Sequence, residues 1–204
     1  MKIAIISGSH RKTANSLKLA KFIEKKLKTF KEVSDVYLLD MSKSPLPLWD
    51  DLMWEDKPNH MKKTWQPISD ALAASDGFVV VSPEWNGMVP SGLKNLFLYA
   101  SIKEFGNKPA AIVTVSSGMG GCYPVAELRQ SSYKNNRLCY IPDHLIVRHA
   151  DDLFNDYDHP DSDDEKLLRE RLQQNLAMLL SYARALQKVR EESPFHYEQF
   201  PHGM

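Results

Sequence analysis

Short apolar runs alternate with longer stretches in which apolar residues recur every three or four positions, and this alternation lays out the chain. Ile3-Ala4-Ile5-Ile6 comes first and predicts a buried strand. Leu17, Ala20, Ile23, Leu27 and Phe30 follow at helical spacing, with lysines filling the other face, and predict an amphipathic helix lying on a sheet. Val33 to Leu39 reads as a second strand with imperfect alternation. The clearest strand is Gly77-Phe78-Val79-Val80-Val81, a continuous β-branched run that implies burial on both faces. A fourth strand is expected over Ala110–Val115 and a fifth within Leu138–Val147. The helices between them are a short one around Ile68–Ala74, one opened by Pro90 and running through Leu93, Leu96, Phe97 and Ala100, and one from about Pro124 to Asn135. A final helix carries Leu168, Leu172, Leu176, Leu179, Ala183 and Leu186 on one face and should stop before Pro194.

Strands and helices that alternate in this way argue for an α/β domain, a parallel sheet covered on both sides. In such sheets ligands bind at the carboxyl ends of the strands, beside the point where the strand order reverses. Three unusual loops fall at those ends: residues 7–16, 82–90 and 116–121. Residues 41–66 form the least regular stretch, in which prolines exclude a continuous helix. Its tryptophans, Trp49, Trp54 and Trp65, are expected to pack the loop down or meet a partner subunit.

Composition narrows the function. At 204 residues the chain is most simply one domain, and 26 basic against 26 acidic residues leave it with zero formal charge. That balance gives no electrostatic reason to expect nucleic acid or a membrane surface. Two cysteines, Cys122 and Cys139, make no disulfide framework, and with no signal-peptide core or spanning segment the expected location is cytoplasmic. Cys122 is expected to be buried and inert. The Asp-rich residues 151–165, with His149 and His159 nearby, match neither a calcium loop nor a zinc pattern and read as a solvated loop. Ser162 and Glu165 read as a capping box for the last helix.

The chemistry lies in the three loops. Ser7-Gly8-Ser9-His10-Arg11-Lys12-Thr13-Ala14-Asn15-Ser16 joins a strand to a helix, where unpaired N–H groups and the helix dipole favour an anion. Ser9, Thr13, Asn15 and Ser16 add neutral donors and Arg11 a bidentate charged one, which suits a phosphate monoester. Neither G-x-x-x-x-G-K-[ST] nor, after the first strand, G-x-G-x-x-G is present, so a nucleotide-hydrolysing loop and a dehydrogenase-type fold are set aside. The second loop offers an aromatic face, Trp85, and an amide, Asn86, behind Pro83. The third, Ser116-Ser117-Gly118-Met119-Gly120-Gly121, offers bare main chain. Together they suit a flat, hydrogen-bonding heteroaromatic with a phosphate on a flexible arm, the shape of flavin mononucleotide (FMN).

These segments resemble those of the NADPH-dependent FMN reductases. Gly8 to Ser16 is similar to that family's G-S-x-R-K-x-x-N-[ST] loop, and Pro83-Glu84-Trp85-Asn86-Gly87-Met88-Val89-Pro90-Ser91-Gly92-Leu93-Lys94-Asn95 to its P-E-Y-N-G-x-x-P-x-x-L-K-N segment. Ser117 to Gly121 resembles its glycine-rich flavin loop, and Leu46-Pro47-Leu48-Trp49-Asp50 and Lys108-Pro109 match where expected. The resemblance implies a flavodoxin-like, doubly wound five-stranded parallel sheet of order 2-1-3-4-5 in three α/β/α layers. Residues 1–190 would form the FMN-binding domain, with 191–204 a tail that is extended or packed on a partner subunit.

By position, Ser9, Arg11, Thr13, Asn15 and Ser16 would hold the phosphate; Pro83, Glu84, Trp85, Asn86 and Gly87 would line the ring; and Ser117, Gly118, Met119, Gly120 and Gly121 would meet its polar edge. The implied activity is that of an FMN-dependent NAD(P)H oxidoreductase, passing hydride from NADPH or NADH to flavin N5 and then to a small acceptor such as a quinone, azo or nitro compound or free flavin. No side chain need be catalytic, since the cofactor carries the reaction, and no metal is implied. A flavodoxin-type electron carrier is the alternative, although such carriers are usually acidic. The resemblance also implies a homodimer or homotetramer. No second phosphate-binding motif is visible that would separate NADPH from NADH. Trp85 departs from the family's usual tyrosine, and His10 from its usual proline or aliphatic residue.

Overall fold

A computed structural model describes residues 1–192 and 195–203. Its elements run β1 (Lys2–Ser7), α1 (Asn15–Leu27), β2 (Asp35–Asp40), α2 (His60–Ala73), β3 (Gly77–Pro83), α3 (Ser91–Tyr99), α4 (Ile102–Phe105), β4 (Pro109–Val115), α5 (Cys122–Gln130), β5 (Cys139–Val147) and α6 (Asp163–Glu192). The five strands form one parallel sheet in the order β2-β1-β3-β4-β5, as expected. The order reverses between β1 and β3, which pair from Ile3 with Gly77 to Ser7 with Val81.

Alternation within each strand divides the core into two layers. Ile3, Ile5, Val79, Val81, Ala111 and Val113 face α1 and α6, packing on Leu19, Ile23, Leu172, Leu176 and Leu179. Ala4, Ile6, Phe78, Val80, Ala110 and Ile112 pack against Leu72, Leu93, Leu96 and Phe105 on the other side. β1, β3 and β4 are thus covered on both faces, which is why their sequences read as unbroken apolar runs.

Several element boundaries differ from the sequence expectation, each for a local reason. α2 begins eight residues before Ile68 and contains Pro67. Asn59 caps it by accepting from Lys62 N, and Met61, Trp65, Ile68 and Leu72 form its buried stripe. Pro67 is exposed, so the carbonyl of Lys63 that it leaves unpaired is on the solvent side. Pro90 caps α3 from outside its first turn. α5 ends at Gln130, five residues early, because the Ser131 and Ser132 hydroxyls take the Glu127 and Leu128 carbonyls. The Ser162–Glu165 box is half formed. Ser162 accepts from Glu165 N, but the fully buried Glu165 carboxylate turns to Phe154 N, Asp161 N and Arg169. α6 is described through Glu192, and the expected stop before Pro194 falls outside the described residues.

Residues 195–203 lie at the sheet end opposite the three loops, against the turns that precede β4 and β5. Tyr197 OH accepts from Asn107, Arg137 lies over the Tyr197 ring and donates to Phe200 O, and Gly203 N donates to Asn135.

Candidate functional site

Ser7, Pro83 and Val115 end β1, β3 and β4 at the same edge of the sheet, so the loops that follow them begin side by side at the reversal point. The loop after β1 is anchored by Gly8 N donating to Val81 O at 2.9 Å. Ser9 is buried, and its Oγ accepts from Arg11 N at 3.2 Å. Beyond it, the N–H groups from Lys12 to Ser16 meet no acceptor among the described residues. α1 has no side-chain cap and no acid in its first turn, so its N-terminal dipole is uncompensated. Ser16 Oγ is fully buried and has no partner, and the exposed Arg11 guanidinium has none among the described residues. Buried hydroxyls are rarely left unpaired. A phosphate monoester would satisfy these groups together, so the loop fits the group that the sequence suggests.

The loop after β3 is a rigid two-residue turn. Trp85 and Met88 exchange main-chain hydrogen bonds at 3.0 and 2.9 Å, and Asn86 (φ 49°) and Gly87 (φ 72°) occupy its centre. Positive φ at both central residues defines a type I′ turn, which Asn-Gly adopts with least strain. Trp85 is half-buried, and the His10 ring meets it edge-on at 4.7 Å, so the first two loops touch. His10, Arg11, Glu84, Trp85 and Asn86 line one open cleft of about 510 Å³, within the usual size of small-molecule sites.

The loop after β4 is tied to both others. Gly121 N donates to Glu84 Oε2 at 2.5 Å. A Cβ on Gly120 would stand 2.5 Å from Glu84 Oε1, so only glycine allows this approach. Asn15 Nδ2 reaches Ser117 Oγ at 3.4 Å and Asp151 Oδ1 at 2.7 Å. The Asn15 and Ser117 hydrogen bonds hold the exposed Asp151 carboxyl below its ordinary pKa. The N–H groups of Ser117, Met119 and Gly120 meet no acceptor among the described residues, and nothing lies within 4 Å of where a Gly118 Cβ would stand. This leaves donors and space for the polar edge of a flat ring.

Not every expected residue lies on the shared cleft. Arg11, Glu84, Trp85 and Asn86 line it, but Gly118 is not among its lining residues and connects through Gly121 and Glu84. Thr13 lines a different hollow, beside α1. Met119 points outward, its sulfur 3.0 Å from His149 Nε2 and its carbonyl accepting from Arg148 Nε at 2.7 Å. Cys122 corrects its expectation. It is exposed, with Arg148 Nη2 3.2 Å from its sulfur, because α5 starts at Cys122 itself.

Sequence reasoning missed two supports. Asp151 lies in the acidic stretch expected to be a solvated loop, yet it accepts from Asn15, which also reaches Ser117, and so joins the first and third loops. Asn95 stands in the L-K-N segment with no role attached. It is buried, accepts from Trp49 N and donates to Pro47 O, both at 2.8 Å, and so clamps the tryptophan loop to α3. The spacing of Asn95 on α3, one turn before Tyr99, was the available signal, since Tyr99 OH donates to the same Pro47 carbonyl.

The sequence profile of the NADPH-dependent FMN reductases matches residues 1–152. An NADPH azoreductase of Bacillus sp. (strain OY1-2) is 29% identical over 121 residues, 59% of this chain and 62% of its own, so this match spans less than two thirds of that relative's length. A quinone reductase of Pseudomonas putida (strain KT2440) is 29% identical over 160 residues, 76% of this chain and 81% of its own. Among solved structures, the flavoenzyme NAD(P)H:(acceptor) oxidoreductase FerB of Paracoccus denitrificans superposes with a TM-score of 0.65 over 92% of this chain and 97% of its own, at 23% identity. At that identity the likeness carries the flavodoxin-like fold alone.

Proposed function

The chain belongs to the NADPH-dependent FMN reductase family, and from that premise we propose that it holds FMN across the three loops and passes reducing equivalents from a nicotinamide donor to a small acceptor. The observation that carries this reading is the first loop. There, N–H groups from Lys12 to Ser16, the Ser16 hydroxyl and the Arg11 guanidinium, all without a partner among the described residues, stand next to a cleft walled by Trp85. When bound, FMN supplies hydride acceptance and onward transfer.

The protein's own groups bind and orient. Arg11, Ser9, Asn15, Ser16 and the α1 N-terminus hold the phosphate, with Thr13 at its outer side. Trp85, with Pro83, Asn86 and Gly87, covers the ring from the type I′ turn. Main-chain N–H groups of Ser117, Met119 and Gly120 donate to the ring's polar edge, and Gly118 leaves room for it. Glu84 keeps the second and third loops at fixed separation by accepting from Gly121 N. Fixing two flat rings in contact supplies the orientation on which hydride transfer depends.

Relatives named for quinone and azo substrates support an acceptor of that small, conjugated kind. A cytoplasmic setting and assembly as a homodimer or homotetramer belong to the same reading, the first supported by two free thiols. Among the described residues no helix is long and apolar enough to cross a membrane.

The test is anaerobic mixing of the FMN-loaded protein with NADPH or NADH, followed by a quinone and an azo dye. The reading expects rapid bleaching of the flavin band by a nicotinamide and its return with an acceptor. A flavin band that neither donor bleaches contradicts it and favours a carrier reduced by another protein.

A further inference from the structure

Three peptide groups of the loop after β4 are held from behind by the residues that follow β5. Ala150 N donates to Ser116 O at 3.0 Å, His149 N to Gly118 O at 3.1 Å, and Arg148 Nε to Met119 O at 2.7 Å. In a trans peptide the N–H points away from the C=O. The N–H groups of these same three peptides are those of Ser117, Met119 and Gly120, and none meets an acceptor among the described residues. The neighbouring N–H groups are engaged, Gly118 N with Ser116 Oγ and Gly121 N with Glu84 Oε2. Residues 148–150 thus fix the carbonyls and leave three free donors, each turned away from its own carbonyl.

Arg148 is the member of this template that acts through its side chain. It is half-buried, and Cys122 Sγ accepts from its Nη2 at 3.2 Å, so the guanidinium is held at two of its nitrogens. No carboxylate lies within ion-pair distance of it among the described residues. Glu84 and Asp151 bring negative charge to the same loop, the first through Gly121 N and the second through Asn15, which also reaches Ser117. Arg148 is the cation hydrogen-bonded to that loop. A charged donor on a carbonyl polarises the whole peptide and strengthens the N–H at its other end, here that of Gly120.

We infer that Arg148 is a positioning residue of the site: through Met119 O it aims the Gly120 N–H at the polar edge of the flavin and favours the cofactor in its reduced, more negative form. This rests on the reductase reading and deepens it. A cation beside the hydrogen-bonding edge of the ring is one of the means by which a protein sets flavin potential. The charge acts through a peptide that the fold has already oriented, so reduction requires no rearrangement of the loop.

Dye-equilibrated reduction of the FMN-loaded protein, with the affinity for oxidised FMN measured beside it, tests the inference without turnover. In Arg148→Gln, which loses the charge, reduced FMN should lose about tenfold more affinity than oxidised FMN, a fall of about 30 mV in the two-electron potential. Arg148→Lys keeps the charge and should restore most of that shift. A side chain that only props the loop would cost both forms alike. Equal losses with the potential unmoved therefore overturn the inference, as does a lysine variant shifted as far as the glutamine one. Should Arg148→Gln take up no FMN, Arg148→Lys decides: wild-type affinity and potential support the role of the charge, and loss of FMN there too overturns it. Failure of the reductase reading shows in the wild type instead, which then takes up no FMN or, once loaded, is bleached by neither nicotinamide.

Discussion

At the scale of single residues, two departures from the family pattern turn out to be neighbours. Trp85 replaces a tyrosine and His10 a proline or aliphatic residue, and their rings meet edge-on at 4.7 Å. The larger indole thus has a partner on the first loop that a proline could not supply in the same way. Edge-to-face aromatic pairs contribute about 0.5–1.5 kcal/mol beyond burial. A double-mutant cycle of His10→Ala and Trp85→Leu, read by urea unfolding, should give a coupling energy in that range, and additive losses would show the contact to be incidental. Neither role was legible in the chain, because 74 positions separate the two residues and only the β1–β3 pairing brings them together. Glu84 is a similar case. The motif names it, but only the fold shows its carboxylate spent on Gly121 N rather than left free to face a ligand.

At the scale of elements, the strands were legible and the helix ends were not. β3 and β4 are apolar from end to end because both faces are covered, and that signal needs no tertiary information. Only the second half of α2 is legible, because Pro67 argues against a helix in sequence, whereas its exposure makes the broken hydrogen bond tolerable. α5 ended early through two serine hydroxyls, competition that propensity alone does not reveal. The tryptophan loop is held by the clamp from α3 together with its own turns, in which Trp54 N donates to Asp51 O and Asn59 Nδ2 to Leu52 O. Asn95→Ala would leave the Trp49 N–H and Pro47 carbonyl short of a partner, an expected loss of about 1–3 kcal/mol in unfolding free energy. Faster proteolysis within residues 45–58 should accompany it, and unchanged stability would mean that Tyr99 OH alone suffices to hold the loop.

At the scale of the whole molecule, the sheet separates function from anchorage. Its carboxyl edge gathers the three loops, while the opposite edge carries the 195–203 segment and Lys108. Lys108 is buried, and its ammonium donates to Ala73 O at 2.7 Å. Burial, with the Arg190 charge adding to it, lowers its pKa from 10.5 to about 8. Because the unfolded chain holds this proton more tightly, stability conferred by the site is lost as pH falls through about 8 and is complete above 10.5. The stability of the wild type relative to Lys108→Met should therefore rise between those pH values in denaturant titrations, and a flat difference would place the pKa near its ordinary value.

The candidate site was legible to the extent that it is local. The phosphate loop and the Asn-Gly turn each declare themselves in consecutive residues, whereas the Asn15–Asp151 bridge and the His10–Trp85 contact exist only after folding. The central claim is that the loop after β1 holds the phosphate of a flavin whose ring rests against the other two. Its most direct test is the affinity of the apoprotein for FMN and for riboflavin, by flavin fluorescence quenching, in the wild type and in Arg11→Ala. The account predicts that the wild type prefers FMN and that Arg11→Ala loses about tenfold or more of that preference while keeping its affinity for riboflavin. Equal losses for the two flavins, or no flavin bound at all, would contradict it.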